Sequence, residues 1–427
     1  MKPRVVITGI GLLTPLGLRH ETVWQYLQAG KSGVRRIQAF DPSALPTQFA
    51  GEITDFDAKD FVDRKDRKAL KVMSRPIQLA VCATNVALQD AGIDPSQLDP
   101  TRLGVIFGAG LIASELEELG PAARLCTNGQ PYFVDLEKWG RDGLAAMPPL
   151  WMLKYLPNLL ACHVSILHNA QGPNNSITQG DVASLLALGE AWRILQRGLA
   201  DVMLTGGGDS RLNPLSMSRL CLFAPLSRRN DAPEEACRPF DRERDGLVPG
   251  EGAAVLVLET LEHAQRRGAR VYGEVVGFAS AFDRQRTGEV LAEVIGQALQ
   301  QAGITPEAID HINAHGYSTP REDIWEAAGL VRVFGRNNTR VPVFAAKSYW
   351  GNLGAAGSVA ELAISLLSWQ QGVLPPTRNY RQPDPDCPVY VLAGRWHEPH
   401  KDFCLKVALG ERGHCAAAVI RRCRQEN

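Results

Sequence analysis

Asp181 stands at the entrance to a run, Val182 to Leu195 (VASLLALGEAWRIL), that is apolar on nearly every face and interrupted by Ser184, Gly189, Glu190 and Arg193. A helix apolar all round is a buried helix, so the sequence places the N-terminus of this one inside the protein. A buried helix start offers unpaired backbone N–H groups and the positive end of the dipole. Two uses fit: a nucleophile whose anion is stabilised there, or a plain anionic cap. Aspartate serves the second well, with an N-cap typically contributing about 1 kcal/mol, and capping is compatible with a residual electrostatic role. The nine cysteines, at 82, 126, 162, 221, 237, 387, 404, 415 and 423, show no Cys-x-x-Cys and no paired-histidine zinc spacing. They read as free, mostly buried thiols of a reducing compartment, Cys162 among them as a small buried apolar residue rather than a substitute nucleophile. No metal or cofactor is expected.

The elements that must position such a site follow from the pattern of the chain. Its 427 residues, 45% hydrophobic and 22% charged with 40 glycines, fit a compact α/β protein. Short apolar runs, several ending in glycine, predict strands from Arg4, at 103–110, 201–208, 253–258, 271–277, 309–315, 341–345 and 405–410. Helical patterns lie between them at 74–91, 182–196, 288–302 and 358–371, and the alternation implies a mostly parallel, helix-covered sheet. Asp90-Ala-Gly-Ile-Asp-Pro echoes Gln301-Ala-Gly-Ile-Thr-Pro, which suggests an internal duplication. The expected halves are 1–258 and 259–427, sharing one core, with a Leu/Pro/Trp-rich cap inserted at about 111–160. Such caps shape tunnels or subunit contacts, or simply pack as flaps. Forty-six basic and forty-six acidic residues cancel, so neither nucleic acid nor a membrane surface is an expected partner. With no leader and no uncharged apolar stretch of about 18 residues, the chain reads as soluble and cytoplasmic. The basic end Arg421-Arg422-Cys423-Arg424 reads as a solvated tail.

Several longer phrases carry a resemblance: Val5 to Gly17, Asp63 to Ala80, Gly172 to Ser184, Ala200 to Gly207, Arg238 to Gly252 with its Arg-Pro-Phe-Asp start, Asn313-Ala-His-Gly-Tyr-Ser-Thr-Pro320, and Lys347-Ser348 followed by Gly351 to Gly357. Together they span almost the whole chain and resemble the β-ketoacyl-acyl-carrier-protein synthases of fatty-acid and polyketide synthesis. That resemblance implies a duplicated thiolase-like fold, with mixed sheets and helices layered α-β-α-β-α. It also implies chemistry by a cysteine thiolate that accepts the acyl chain and two imidazoles that polarise a malonyl thioester as carbon dioxide leaves.

Matched residue by residue, the cysteine position falls on Asp181, eight residues after Pro173; the first histidine is His315, and the second falls on Asn352. The lysine and glutamate beside the second histidine match Lys347 and Glu361, and Glu411-Arg412 stand where an aromatic residue gates the acyl pocket. These two read as an ion pair closing a disused site. Arg64, Lys65, Arg67 and Lys68 match the region that docks the acidic carrier protein, with Lys71 and Arg75 extending a basic cluster at a helix start. An aspartyl acyl group would be a mixed anhydride, so covalent transfer should fail. The resemblance therefore implies a chain-length-factor-like partner of an active ketosynthase, working with acyl carrier protein. A divergent malonyl decarboxylase or acyltransferase using Asp181, His315 and Asn352 is the rival, and a homodimeric acyl-binding scaffold is a third class.

Overall fold

The computed structural model describes residues 2–335 and 341–423. Its main sheet has ten strands in the order Val343–Phe344, Ile309–Asn313, Phe403–Leu409, His414–Arg421, Gly273–Phe282, Val5–Leu13, Glu251–Thr260, Val202–Ser210, Leu103–Ala109 and Asn174–Ile177. Read from either edge inward, the order in chain sequence is third, second, fourth, fifth, first, the same in both sets of five. The two sets meet only where Val5–Ile7 pair with Gly273–Val275. Instead of two separate sheets, hydrogen bonding thus makes one.

Strand direction differs from the expectation of a mostly parallel sheet. The outer strands of each set are parallel, but the inner ones, including 202–210 with 251–260 and 403–409 with 414–421, are antiparallel. An apolar run signals burial on both faces and carries no direction. The final pair is a hairpin closed at Gly410–Gly413, where the Gly410 N–H donates to His414 O at 2.8 Å.

Helices Ala183–Gln196 and Gly357–Gln371 lie in the middle, touching strands of both sets. Their apolar surface is buried nearly all round in one central cluster, as the composition of 182–195 requires. The helix Arg75–Ala91 covers one outer face and Glu289–Ala302 with Pro320–Phe334 the other, each over its own apolar cluster. Five layers, α-β-α-β-α, result. The repeated Ala-Gly-Ile phrases end the two outer helices: Gly92 and Gly303 take φ of 64° and 68°, and the N–H groups of Ile93 and Ile304 reach back to Leu88 O and Leu299 O at 3.0 and 3.2 Å. A left-handed residue at this point requires glycine for the closing turn.

Within 111–160 the chain forms the helix Leu116–Leu125 and short turns with many exposed apolar side chains. Arg421 is no solvated tail: it ends the last strand and its guanidinium, like that of Arg4, bonds Glu274. Arg424 lies outside the described residues. Among the described residues no helix is long and apolar enough to cross a membrane.

Candidate functional site

Asp181 lies in a tight turn, Gly180–Val182, made possible by the left-handed Gly180 (φ 59°), just ahead of the helix Ala183–Gln196. It does not cap that helix: the capping position is Val182, without a side-chain bond. The carboxylate instead turns sideways into a polar cluster that is buried except at Arg211, whose side chain is 15% exposed. Oδ1 accepts from Arg211 Nη2, and Oδ2 accepts from Tyr317 OH at 2.7 Å and Asn352 Nδ2 at 2.8 Å. Its main-chain oxygen accepts from Ser358 Oγ at 2.9 Å.

Each partner is fixed by its own element. Arg211 follows the strand Val202–Ser210, Tyr317 lies in the turn after Ile309–Asn313, and Asn352 follows the short helix Lys347–Trp350. Asn352 Oδ1 accepts from Gly354 N at 2.9 Å, so its amide nitrogen faces Asp181. Burial pushes the Asp181 carboxyl upward, but the Arg211 charge, the Tyr317 hydroxyl and the Asn352 amide outweigh it and hold the group below its ordinary 3.8. The residue is a fixed carboxylate, with three donors on its two oxygens.

His315 is buried beside this cluster, its ring edge-on to Tyr317 at 4.2 Å. Its main-chain N–H and that of Gly316 donate to Glu326 at 2.7 and 2.8 Å. Lys347 Nζ lies 3.2 Å from His315 Nδ1, 2.8 Å from His315 O and 2.5 Å from Glu361 Oε1. An ammonium can only donate, so Nδ1 accepts and the imidazole proton is assigned to Nε2. Burial, then the charges of Lys347, Lys406 and Arg211, push the ring well below 6.5, so it is neutral. Nε2 is buried with no hydrogen-bond partner. Glu361, on the central helix Gly357–Gln371, also receives Lys406 Nζ on its other oxygen. Burial lowers the Lys406 ammonium to about 8.

The structure thus brings Asp181, His315, Asn352, Lys347 and Glu361 together. Sequence reasoning missed three members of the cluster. Arg211 and Tyr317 had a readable signal, a cation directly after a glycine-rich strand and a bulky aromatic inside the His-Gly-x-Ser-Thr-Pro phrase. Lys406 had one too: a lysine within an otherwise apolar strand must be paired.

Glu411 and Arg412 are exposed and, among the described residues, form no ion pair with each other. Adjacent residues on a tight turn point apart, and Glu411 is held through its main-chain oxygen by Arg286. Both line two cavities of about 590 and 440 Å³; Arg211 lines both as well, Asp181 the smaller, and His315 neither. The site is therefore not sealed by a charged pair. His414 lines the smaller cavity with its ring against Phe282. Arg64, Lys65, Arg67 and Lys68 are exposed, on turns ahead of the short helical turn Ala69–Val72 rather than at an α-helix start. Arg75 leaves the cluster to pair with buried Glu251 at 2.7 Å. Cys162 is half-buried rather than buried.

Comparison with known proteins agrees over the whole length. Residues 2–264 match the family "Beta-ketoacyl synthase, N-terminal domain" and residues 272–381 match "Beta-ketoacyl synthase, C-terminal domain". The chain is 34% identical to 3-oxoacyl-[acyl-carrier-protein] synthase 2 of Synechocystis sp., covering 99% of this chain and 98% of the relative. It is 37% identical to the tetracenomycin polyketide synthase ketoacyl synthase alpha subunit of Streptomyces glaucescens, covering 98% and 97%. Among solved structures, the ishigamide ketosynthase/chain length factor aligns with a TM-score of 0.85 at 29% identity, over 99% of this chain and 100% of that one. A β-ketoacyl synthase from Burkholderia phymatum aligns at 0.87 and 30%, with the same coverage. With this coverage, and with a five-layered thiolase-like fold around Asp181 and His315, the chain belongs to the β-ketoacyl synthase family.

Proposed function

We propose that this protein is a ketosynthase homologue that does not itself carry acyl chains, and that it acts as the chain-length-factor-like partner of an active ketosynthase on carrier-bound thioesters. The observation that supports this most is the state of Asp181. At the position matched to the acyl-accepting cysteine stands a carboxylate already bonded by Arg211, Tyr317 and Asn352. Acylating it would give a mixed anhydride and leave buried Arg211 without its counter-charge. Of the two donors expected to polarise a thioester, the Asn352 amide is committed to Asp181, which leaves His315 Nε2 alone without a partner.

The rival, a decarboxylase or transferase with Asp181 as base, draws less support, because a carboxylate held below its ordinary range is a weaker base. The partner role draws on the relatives: one aligned structure is a ketosynthase/chain length factor, and another is a type II acyl-carrier protein in complex with its ketosynthase. For this chain we infer a heterodimer with an active ketosynthase, with the exposed Arg64, Lys65, Arg67 and Lys68 facing the carrier protein and Glu411-Arg412 at the pocket mouth. We place the boundary between its two halves near 258. Co-expression with a type II ketosynthase, followed by light scattering on the purified material, tests the pairing. A one-to-one complex is expected; a ketosynthase that elutes alone while this chain self-associates would overturn it.

A further inference from the structure

We propose that the cavities beside Asp181 form a binding site for an aliphatic monocarboxylate, with its carboxylate between Arg211 and Arg219 and its chain along Leu111, Leu215, Leu220 and Phe223. This deepens the reading above by naming what the altered pocket holds. The two cavities, about 590 and 440 Å³, share Arg211, Arg219, Glu411 and Arg412 in their walls and so form one continuous space. Arg211, in the walls of both, carries a donor in need of an acceptor: it gives Nη2 to Asp181, while Nη1, shut off from solvent as the side chain stands, has no hydrogen-bond partner. An unmade bond of this kind is unfavourable and is relieved by an anionic acceptor. Arg219 lines both cavities and, among the described residues, makes no hydrogen bond or ion pair.

The acids nearby do not cancel this field. Asp181 is taken up by its three donors, and Asp209, 3.9 Å from Arg211 Nε, accepts from the Ala355 N–H at 3.0 Å. Glu411 at the mouth is the remaining acid of the walls, against the second rim cation Arg412. A single negative charge fits this balance, whereas a doubly charged phosphate would meet Asp181 and Glu411 with more repulsion. The same wall carries Leu111, Leu215, Leu220 and Phe223, which selects an aliphatic chain behind the charge.

Isothermal titration of the full chain with octanoate and with 1-octanol tests this. Octanoate should bind saturably at one site, and both the loss of its charge in 1-octanol and Arg219→Ala should weaken binding by about ten-fold or more. Arg412→Ala, outside the pair of arginines that holds the carboxylate, should weaken it less. Equal binding of octanoate and 1-octanol, no saturable binding, or octanoate binding unchanged in Arg219→Ala would overturn the proposal. The titration uses neither the ketosynthase nor turnover. Absent binding with an intact heterodimer therefore fails this inference alone, and binding without a heterodimer fails the partner reading alone.

Discussion

Removing the Asp181 carboxylate strands a guanidinium. Arg211 is almost wholly enclosed and its charge is met by Asp181 at hydrogen-bond distance, with Asp209 further off. Breaking a buried pair from one side costs about 3–5 kcal/mol, so Asp181→Asn should lower stability by roughly that amount in urea unfolding. A double change, Asp181→Leu with Arg211→Met, removes both charges and should recover part of the loss, the Asn352 amide being left without its acceptor. A loss of function in Asp181→Asn is therefore not by itself a sign of base catalysis. The pH dependence has a definite sign. Because the native Asp181 carboxyl lies below its ordinary 3.8, its stabilisation is complete above that value and disappears as pH falls through the lower native one. The stability gap between the protein and Asp181→Asn should be flat around neutrality and narrow only in acid below 3.8. At this scale the residues 181, 315, 347, 352 and 361 were legible because each matches a position of the family's pattern. What they did not convey is that Arg211 and Tyr317 complete the cluster: a cation after a glycine-rich strand and an aromatic inside the His-Gly-x-Ser-Thr-Pro phrase are visible in the sequence, but their pairing with Asp181 is made only by the fold.

The central helix Ala183–Gln196 holds Asp181 in place, and its packing makes a prediction that opposes helix propensity. Replacing Gly189 by alanine favours an isolated helix by about 1 kcal/mol. In this fold a Cβ at Gly189 would come within 2.3–2.5 Å of three atoms of the Phe278 ring, and Phe278 is buried with Arg193 over its face. Overpacking costs typically about 1–3 kcal/mol, so Gly189→Ala should lower, not raise, the melting temperature. A higher melting temperature would mean that Phe278 moves aside freely. The buried helices and glycine-ended strands were legible from composition because burial on every side leaves few polar residues. Strand direction was not, and neither was the final strand His414–Arg421, whose alanine-rich CAAAVI core offers little of the β-branched signal that marks strands.

Over the whole molecule, the segment around 111–160 leaves Leu136, Leu144, Leu150 and Met152 each more than half exposed. Surface of this kind marks contact with another protein and is consistent with a chain that works in a pair. The cap was visible in the sequence as a break in periodicity, but whether its apolar residues faced inward or outward depends on how long the chain runs over the sheet edge, which composition does not fix. The most direct measurement is carbon dioxide release from malonyl carrier protein by this chain alone, by the ketosynthase alone and by the two together. No turnover above background is expected for this chain alone, unchanged by His315→Ala, and condensation is expected for the reconstituted pair. Turnover by the isolated chain that is lost in His315→Ala would contradict it and make the protein a divergent enzyme.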